Sequence, residues 1–215
     1  MDYTLYSHRY ALSILETEEE FAETWNEIKH IVGKISDEMI INRFEEKHSK
    51  QKSISRTIND LLKEEFMAFG WQEESYIFQD SEYQGDTWRL DFAKENISIE
   101  VAFNHGSVIA WNLLKPVLAS ELNHVDKAIQ TKVGVIICAT DAMKRAGGFD
   151  SAVGSYEKFL DYFAPLNNQL SVPIALIGLE APKTFFIQHI KDKNNKTLGQ
   201  VTKFTTEITE QDSLF

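Results

Sequence analysis

The chain has 215 residues, enough for one domain with a substantial core, and its 43% hydrophobic and 26% charged content is ordinary for a globular protein. No apolar run approaches the length of a membrane span and the N-terminus does not resemble a secretion signal, so we expect no membrane partner. The net charge of −11 excludes a general nucleic-acid binder that relies on overall positive charge.

Local basic surfaces are still compatible with this charge, because salt screens distant acids within about 8 Å. Residues 43–56 carry five basic residues against two acids, and residues 183–203 carry five lysines against one acid. Either segment is a candidate basic face or an ordinary solvated stretch. The single cysteine, Cys138, lies in an apolar run, which favours a core position without a disulfide and a cytoplasmic setting.

The N-terminal part predicts mostly helices, because apolar residues recur at helical spacing between capping and stop residues. In chain order the predicted elements are a helix capped by the box Thr17–Glu20 and ended by Gly33, a helix over 37–46, a helix capped by Ser53 or Ser55 and ended by Gly70, and a strand at Tyr76–Phe78.

Residues 88–104 predict a β-hairpin around the polar turn Lys94-Glu95-Asn96. From Ile97 onward the side chains alternate, with apolar residues on one face and Ser98, Glu100, Ala102 and Asn104 on the other. Folding the hairpin places Asp91 across from the end of the second strand. We therefore expect the carboxylates of Asp91 and Glu100 to lie within roughly 5–8 Å of each other.

The C-terminal part alternates apolar strands with helices, which predicts an α/β fold with a central mixed sheet flanked by helices on both faces. The predicted elements are a helix over 107–123 broken or kinked at Pro116, a buried strand Val133–Ala139, a glycine-containing loop 142–150, a helix Tyr156–Phe163, a buried strand Ser171–Leu179, a hairpin around Asp192–Asn195 and a loose acidic tail 205–215. We expect residues 1–204 to form a single domain.

Two carboxylates this close repel each other unless a cation lies between them, and oxygen ligands suit Mg²⁺. The hairpin geometry therefore fits a metal-dependent enzyme that hydrolyses phosphodiesters, with Asp91 and Glu100 as ligands. It equally fits two solvated acids on an exposed strand.

The hairpin motif Asp91-Phe-Ala-Lys followed by Glu100-Val-Ala-Phe resembles the catalytic core of the BglII-type restriction endonucleases, in the PD-(D/E)xK nuclease superfamily. Further segments match that family in the same order: Tyr6–His8, Asn59 with Lys63-Glu64, Gly70-Trp71, Val133–Cys138 and Val172–Leu179. The resemblance covers roughly residues 5–182.

This resemblance implies a restriction-endonuclease-like core and a Mg²⁺-dependent type II restriction endonuclease. It implies that Asp91, Glu100 and the main chain near Val101 hold the metal. In one branch of the family an acid three residues after the matching tryptophan completes the site, and Glu74 occupies that position here; a surface acid is the alternative.

The sequence departs from the superfamily pattern two residues after the second acid. That residue is usually lysine in the superfamily, and it is glutamine or glutamate in the BglII-type enzymes. This chain has Ala102 there. Three explanations are open: the main-chain carbonyl is the ligand that matters, Asn104 or His105 supplies the missing polar group, or the chain is inactive.

The resemblance also implies the partners: palindromic double-stranded DNA with a GATC centre, a second copy of the chain in a homodimer, and a cognate DNA methyltransferase in the same system. Candidate DNA contacts are Lys144, Arg145, Asp150 and Ser151 in the glycine-containing loop, Asn104 and His105 beside the hairpin, and Lys50 and Lys52 in the first basic segment. Arg145 is the candidate for a guanine and Asp150 for a cytosine. A flexible connection explains the loop equally well.

Three other functions compete. The first is a non-cleaving, sequence-specific DNA-binding relative, which Ala102 motivates. The second is a glycosidase that uses two carboxylates without a metal. The third is an interaction module in which the two acids have no chemical role.

Overall fold

The computed structural model describes residues 1–121 and 125–204, apart from the side chain of Asp86. Its strands are Tyr3–His8 (β1), Gln72–Tyr76 (β2), Arg89–Lys94 (β3), Ile97–Val101 (β4), Val133–Ala139 (β5), Ile174–Leu179 (β6), Phe185–Lys191 (β7) and Thr197–Lys203 (β8). Its α-helices are Ala11–Thr17 (α1), Glu19–Lys34 (α2), Asp37–Arg43 (α3), Ser55–Ala68 (α4), Ile109–Ser120 (α5), Asp141–Ala146 (α6) and Tyr156–Phe163 (α7).

A six-stranded mixed sheet in the order β1-β6-β5-β4-β3-β2 forms the centre of the protein. Strands β4, β5 and β6 run parallel, while β1, β3 and β2 pair antiparallel at the two sides. Every residue of β5 and β6 is buried, as their continuous apolar sequences require. The predicted α/β fold, a central mixed sheet with helices on both faces, is confirmed.

The two faces of β4 carry different side chains because residues alternate along a strand. Ile99 and Val101 face the core beneath α1 to α4, whereas Ala102, just beyond the strand, packs with Ile109 and Leu113 of α5. Helices α5 and α7 cover this second face. The strand that carries Glu100 is thus enclosed by helices on both sides.

The N-terminal helices occur where predicted, but their predicted caps are wrong. Thr17 is the last residue of α1, where its hydroxyl donates to the carbonyl of Ser13, and α2 begins at Glu19 without a side-chain cap. Helix α4 follows Ile54 without a side-chain cap, and Ser53 bonds only the hydroxyl of Ser55 at 3.0 Å and its amide at 3.4 Å. The predicted strand Tyr76–Phe78 lies earlier, at β2. Strand β1 and helix α1 are additional elements.

The predicted loop over 142–150 is also wrong, because its first half forms α6. Thr140 caps this helix by accepting from the amide of Met143 at 3.1 Å, so Lys144 and Arg145 lie on a helix. Helix α5 continues through Pro116 without a break. The hairpin around Asp192–Asn195 is confirmed as β7 and β8.

The predicted end of the α5 helix at Asn123 and the tail 205–215 lie outside the described residues. Within the described part of the chain, no helix is long and apolar enough to cross a bilayer.

Gly134, on β5 beneath α5, leaves no room for a methyl group. A Cβ at this position would lie 2.8 Å from Cγ of Pro116. We expect Gly134→Ala to lower the free energy of unfolding by about 1–3 kcal/mol, because a close-packed core accepts an extra methyl only by displacing its neighbours. Urea denaturation would measure this loss.

Gly33→Ala is the matched control. Gly33 lies in α2 with no neighbouring atom within 4 Å of an added Cβ, so the substitution should raise stability by up to about 1 kcal/mol through helix propensity. Equal effects at both positions would contradict the packing argument.

Candidate active site

Asp91 and Glu100 lie on neighbouring strands where the backbone ladder between them ends. The register of β3 and β4 runs from the Lys94–Ile97 pair to the Phe92–Ile99 pair, which leaves Asp91 opposite Glu100 at the next level. Beyond the ladder, the main-chain amide of Val101 donates to Oδ2 of Asp91 at 2.6 Å. The Asp91 carboxylate thus accepts a hydrogen bond that a main-chain carbonyl of β3 would accept if the ladder continued.

Glu100 is a buried acid, with only 2% of its surface exposed, so it is not a solvated residue on an exposed strand. Its Oε2 accepts a 2.7 Å bond from Nζ of Lys115 on α5, while its Oε1 has no hydrogen-bond partner among the described residues. Burial raises the pKa of Glu100 well above its ordinary value, and the nearby charge of Asp91 raises it further. Lys115 opposes both effects, and the main-chain amide of Asp91 lowers the pKa to a smaller extent.

The pKa of Asp91 is also raised, but Asp91 is less buried than Glu100. Burial raises its pKa, the bond from the Val101 amide and the charge of Lys115 lower it, and the charge of Glu74 raises it. The ammonium of Lys115 therefore acts on both carboxylates. Two desolvated acids that repel each other form a site that a bound cation would stabilise.

Glu74 stands at the same level of the sheet on the next strand. The pairs Glu73–Phe92 and Ser75–Leu90 flank it, so Glu74 lies opposite Asp91. Its backbone has a left-handed φ of 48°, its side chain is 62% exposed, and it forms a 3.7 Å ion pair with Arg89.

An open pocket of about 170 Å³ adjoins these acids on the side of α4. Asp91, Glu74 and Val101 line it together with Asn59, Lys63, Glu73 and Phe92. Glu100 does not line the pocket; it is buried within range of the charge of Asp91, and its Oε2 accepts from Lys115. Asp91 thus lies between the pocket and the buried acid.

The candidate DNA-contacting residues fall into two groups. Lys52 and Asp150 form a 3.2 Å ion pair, and His105 is close enough that its charge helps to lower the pKa of Asp150, after the larger effects of the Ala152 amide and Lys52. The loop that carries Asp150 is fixed beside β4, because the rings of Phe149 and Phe103 pack edge to face with their centroids 5.6 Å apart.

The remaining candidates differ in exposure. Arg145, Ser151, Lys50 and Asn104 are exposed. Lys144 is buried, and its ammonium donates to the carbonyls of Ser151 and Val153. Lys144 thus holds the loop, and the exposed groups around it are the ones available for contact.

Comparison with known proteins now identifies the family. The family model of the restriction endonuclease BglII/BglIII matches residues 3–179. The chain belongs to this family. Among solved structures, restriction endonuclease BglII complexed with a DNA 16-mer matches with a TM-score of 0.66 at 20% identity, over 95% of this chain and 100% of that one. Free BglII matches with a TM-score of 0.53 at 16% identity, over the same shares of both chains. No curated protein sequence matches the chain.

Restriction endonucleases of this family are generally metal-dependent, and the residues around Asp91 fit a metal ion. The unpartnered Oε1 of Glu100 beside the charge of Asp91 is the observation that decides the fit. Within residues 1–121 and 125–204, no three acidic, histidine or cysteine side chains come together as a metal cluster. A metal would therefore be held by two carboxylates and by main-chain oxygen, for which the carbonyl of Val101 is the candidate.

Sequence reasoning missed Lys115, although it offered a signal. Lys115 is the one charged residue in the otherwise apolar or neutral run 108–120. The two residues expected to substitute for Ala102 are engaged elsewhere: Asn104 accepts from the Asn112 side chain at 3.0 Å, and His105 bonds Ser107 at 2.8 Å.

The raised pKa of Glu100 predicts a characteristic pH dependence for the metal-free protein. A carboxyl group whose pKa is higher in the folded state stabilises the fold below its unfolded pKa, and this stability is lost as the pH rises through the folded pKa. In the presence of a chelator, we expect the unfolding free energy of the wild type, relative to Glu100→Gln, to fall as the pH rises above about 4.5. Urea titrations at a series of pH values would measure the difference.

Glu64→Gln is a control of opposite sign. The ion pair with Arg43 lowers the pKa of Glu64, so its contribution is lost on acidification instead. A Glu100 profile with the sign of the Glu64 profile would contradict the burial argument.

Proposed function

We propose that this protein is a type II restriction endonuclease that hydrolyses phosphodiester bonds in palindromic, GATC-centred double-stranded DNA with Mg²⁺. The observation that carries the proposal is the buried Glu100 beside the half-buried Asp91, with one oxygen of Glu100 left without a hydrogen-bond partner. Family membership supports nuclease chemistry, and the sequence resemblance supports the GATC centre.

Phosphodiester hydrolysis needs a nucleophilic water, relief of charge on the phosphate and stabilisation of the departing 3′ oxygen. Bound Mg²⁺ supplies charge relief and an activated water. Asp91 and Glu100 hold and orient the ion, together with the carbonyl of Val101. Glu74, exposed at the pocket mouth, serves as a further ligand or orients the water.

The exposed residues beside the β3–β4 hairpin are proposed to recognise DNA. Arg145 has the geometry to donate two hydrogen bonds to a guanine, and Asp150 accepts from a cytosine. Asn104, His105 and Ser151 extend this reading surface. Lys50 and Lys52 contact phosphates, and Lys144 keeps the loop in place.

A palindromic site is read most simply by two identical surfaces, so we propose a homodimer with twofold symmetry. A cognate DNA methyltransferase would protect the same sequence in the host. Residues 1–204 act as a single endonuclease domain in this proposal.

We expect Asp91→Asn to slow Mg²⁺-dependent cleavage at least about a thousandfold, because the site loses a charged ligand that acts in the transition state. Binding of duplex DNA in Ca²⁺ should stay within about threefold of wild type. A digest of a mapped plasmid with and without Mg²⁺, followed by sequencing of the ends, measures activity and specificity together.

The exposed acid Glu38 on α3 provides the control, and Glu38→Gln should cut at the wild-type rate. Undiminished cleavage by Asp91→Asn would exclude the proposed site. Sequence-specific retention of DNA by the wild type without any cut product would favour the non-cleaving relative that Ala102 motivates.

Arg145→Ala and Lys50→Ala should separate base reading from phosphate contact. The loss of a bidentate base contact costs about 1–3 kcal/mol and should relax the preference at one base pair. The loss of a phosphate contact should weaken binding to all sequences and reduce the salt dependence by about one ion. Fluorescence anisotropy with specific and scrambled duplexes at several salt concentrations would distinguish the two, and identical profiles would contradict the assignment.

A further inference from the structure

The contact between Glu100 and Lys115 is a polar interaction of the candidate site that the sequence motifs do not account for. Nζ of Lys115 lies 2.7 Å from Oε2 of Glu100, and the two side chains are only 12% and 3% exposed. The charge of Lys115 also lowers the pKa of Asp91. Burying a lysine ammonium costs free energy of desolvation, so Lys115 differs from a lysine that only keeps the surface hydrated.

The position of Ala102 explains how this lysine reaches the site. Glu100, Ala102 and Asn104 project in turn toward α5, and two of them bind it: Glu100 contacts Lys115, and Asn104 accepts from Asn112. Ala102 lies between these two contacts, where it is buried against Ile109 and Leu113. A long polar side chain at position 102 would compete with α5 for this space.

We propose that Lys115 supplies from α5 the polar group that Ala102 lacks, and that the small Ala102 is the complementary change that admits it. Lys115 is a positioning residue for Glu100. This inference rests on the proposed hydrolytic function, and it makes the departure at Ala102 compatible with an active enzyme.

The physical role follows from the two oxygens of Glu100. The ammonium fixes Oε2, which leaves Oε1 oriented and unpartnered for a divalent ion. Lys115 also offsets part of the repulsion between Glu100 and Asp91. The same positive charge repels a metal ion, so Lys115 should improve the orientation of the ligand at some expense of metal affinity.

Three variants test this role. Lys115→Met removes the charge and keeps much of the side-chain volume, Lys115→Arg keeps the charge, and the double variant Ala102→Lys with Lys115→Met moves the charge to the strand. Lys34→Met is the control, because it breaks a 2.7 Å ion pair with Glu65 between α2 and α4.

Two quantities are measured for each variant: the single-turnover cleavage rate of plasmid DNA at saturating Mg²⁺, and the affinity for Mg²⁺ alone by calorimetry. We expect Lys115→Met to cut about a hundredfold more slowly yet to bind Mg²⁺ about three- to tenfold more tightly, since a neighbouring positive charge is removed. The double variant should recover at least about tenfold of the cleavage rate, and Lys115→Arg should stay within about tenfold of wild type. Lys34→Met should change neither quantity.

A purely structural role for Lys115 would weaken Mg²⁺ binding or leave it unchanged, and relocation of the charge would then restore nothing. Either result overturns the inference, as does wild-type cleavage by Lys115→Met. If Lys115→Met does not fold, Lys115→Gln, which removes the charge but keeps a hydrogen-bond donor, replaces it in both measurements. Failure of the wild type to cut any DNA would overturn the proposed function itself, a result distinct from a Lys115 variant that cuts normally.

Discussion

The structure of the candidate site depends on the burial of a carboxylate at the centre of the sheet. Glu100 is enclosed between α5 and the neighbouring strands, and burial next to Asp91 raises its pKa. A buried acid is tolerated only when a cation or several hydrogen bonds compensate it. Lys115 compensates one oxygen and leaves the other open. The negative charge of the two acids is therefore only partly neutralised, and a divalent ion would neutralise the remainder.

The fold makes this arrangement rigid. Strands β5 and β6, buried along their whole lengths, support β4 from one side, while β3 carries Asp91 on the other. The end of the ladder at the Phe92–Ile99 pair frees the Val101 amide to bind Asp91. Catalytic groups on paired strands are held more precisely than groups on loops. The groups proposed to contact DNA, by contrast, lie on α6, on the loop after it, in the segment that follows β4 and in the basic segment before α4.

The positions of the segments proposed to contact DNA depend on contacts between distant parts of the chain. His189 on the β7–β8 hairpin bonds the carbonyls of Lys52 and Gly148, and the Gly199 amide donates to the carbonyl of Gln51. The hairpin thus fixes the basic segment and the loop after α6 relative to each other. The overall acidic charge of the protein does not conflict with a local contact surface, because exposed charges beyond a Debye length are screened.

The sequence by itself determined the elements whose side-chain pattern is local: the alternation in β4, the uninterrupted apolar runs of β5 and β6, and the acids Asp91 and Glu100 on one hairpin. It also determined the family through these motifs. It misplaced the caps near Thr17 and Ser53 and missed α6, because competing polar residues offer the backbone several local bonds of similar strength. Only the tertiary structure decided that Glu100 is buried, that Glu74 pairs with Arg89, and that Lys115 reaches Glu100 from α5. These facts arise when a helix packs on a strand, and no spacing along the chain encodes which side chain then meets which.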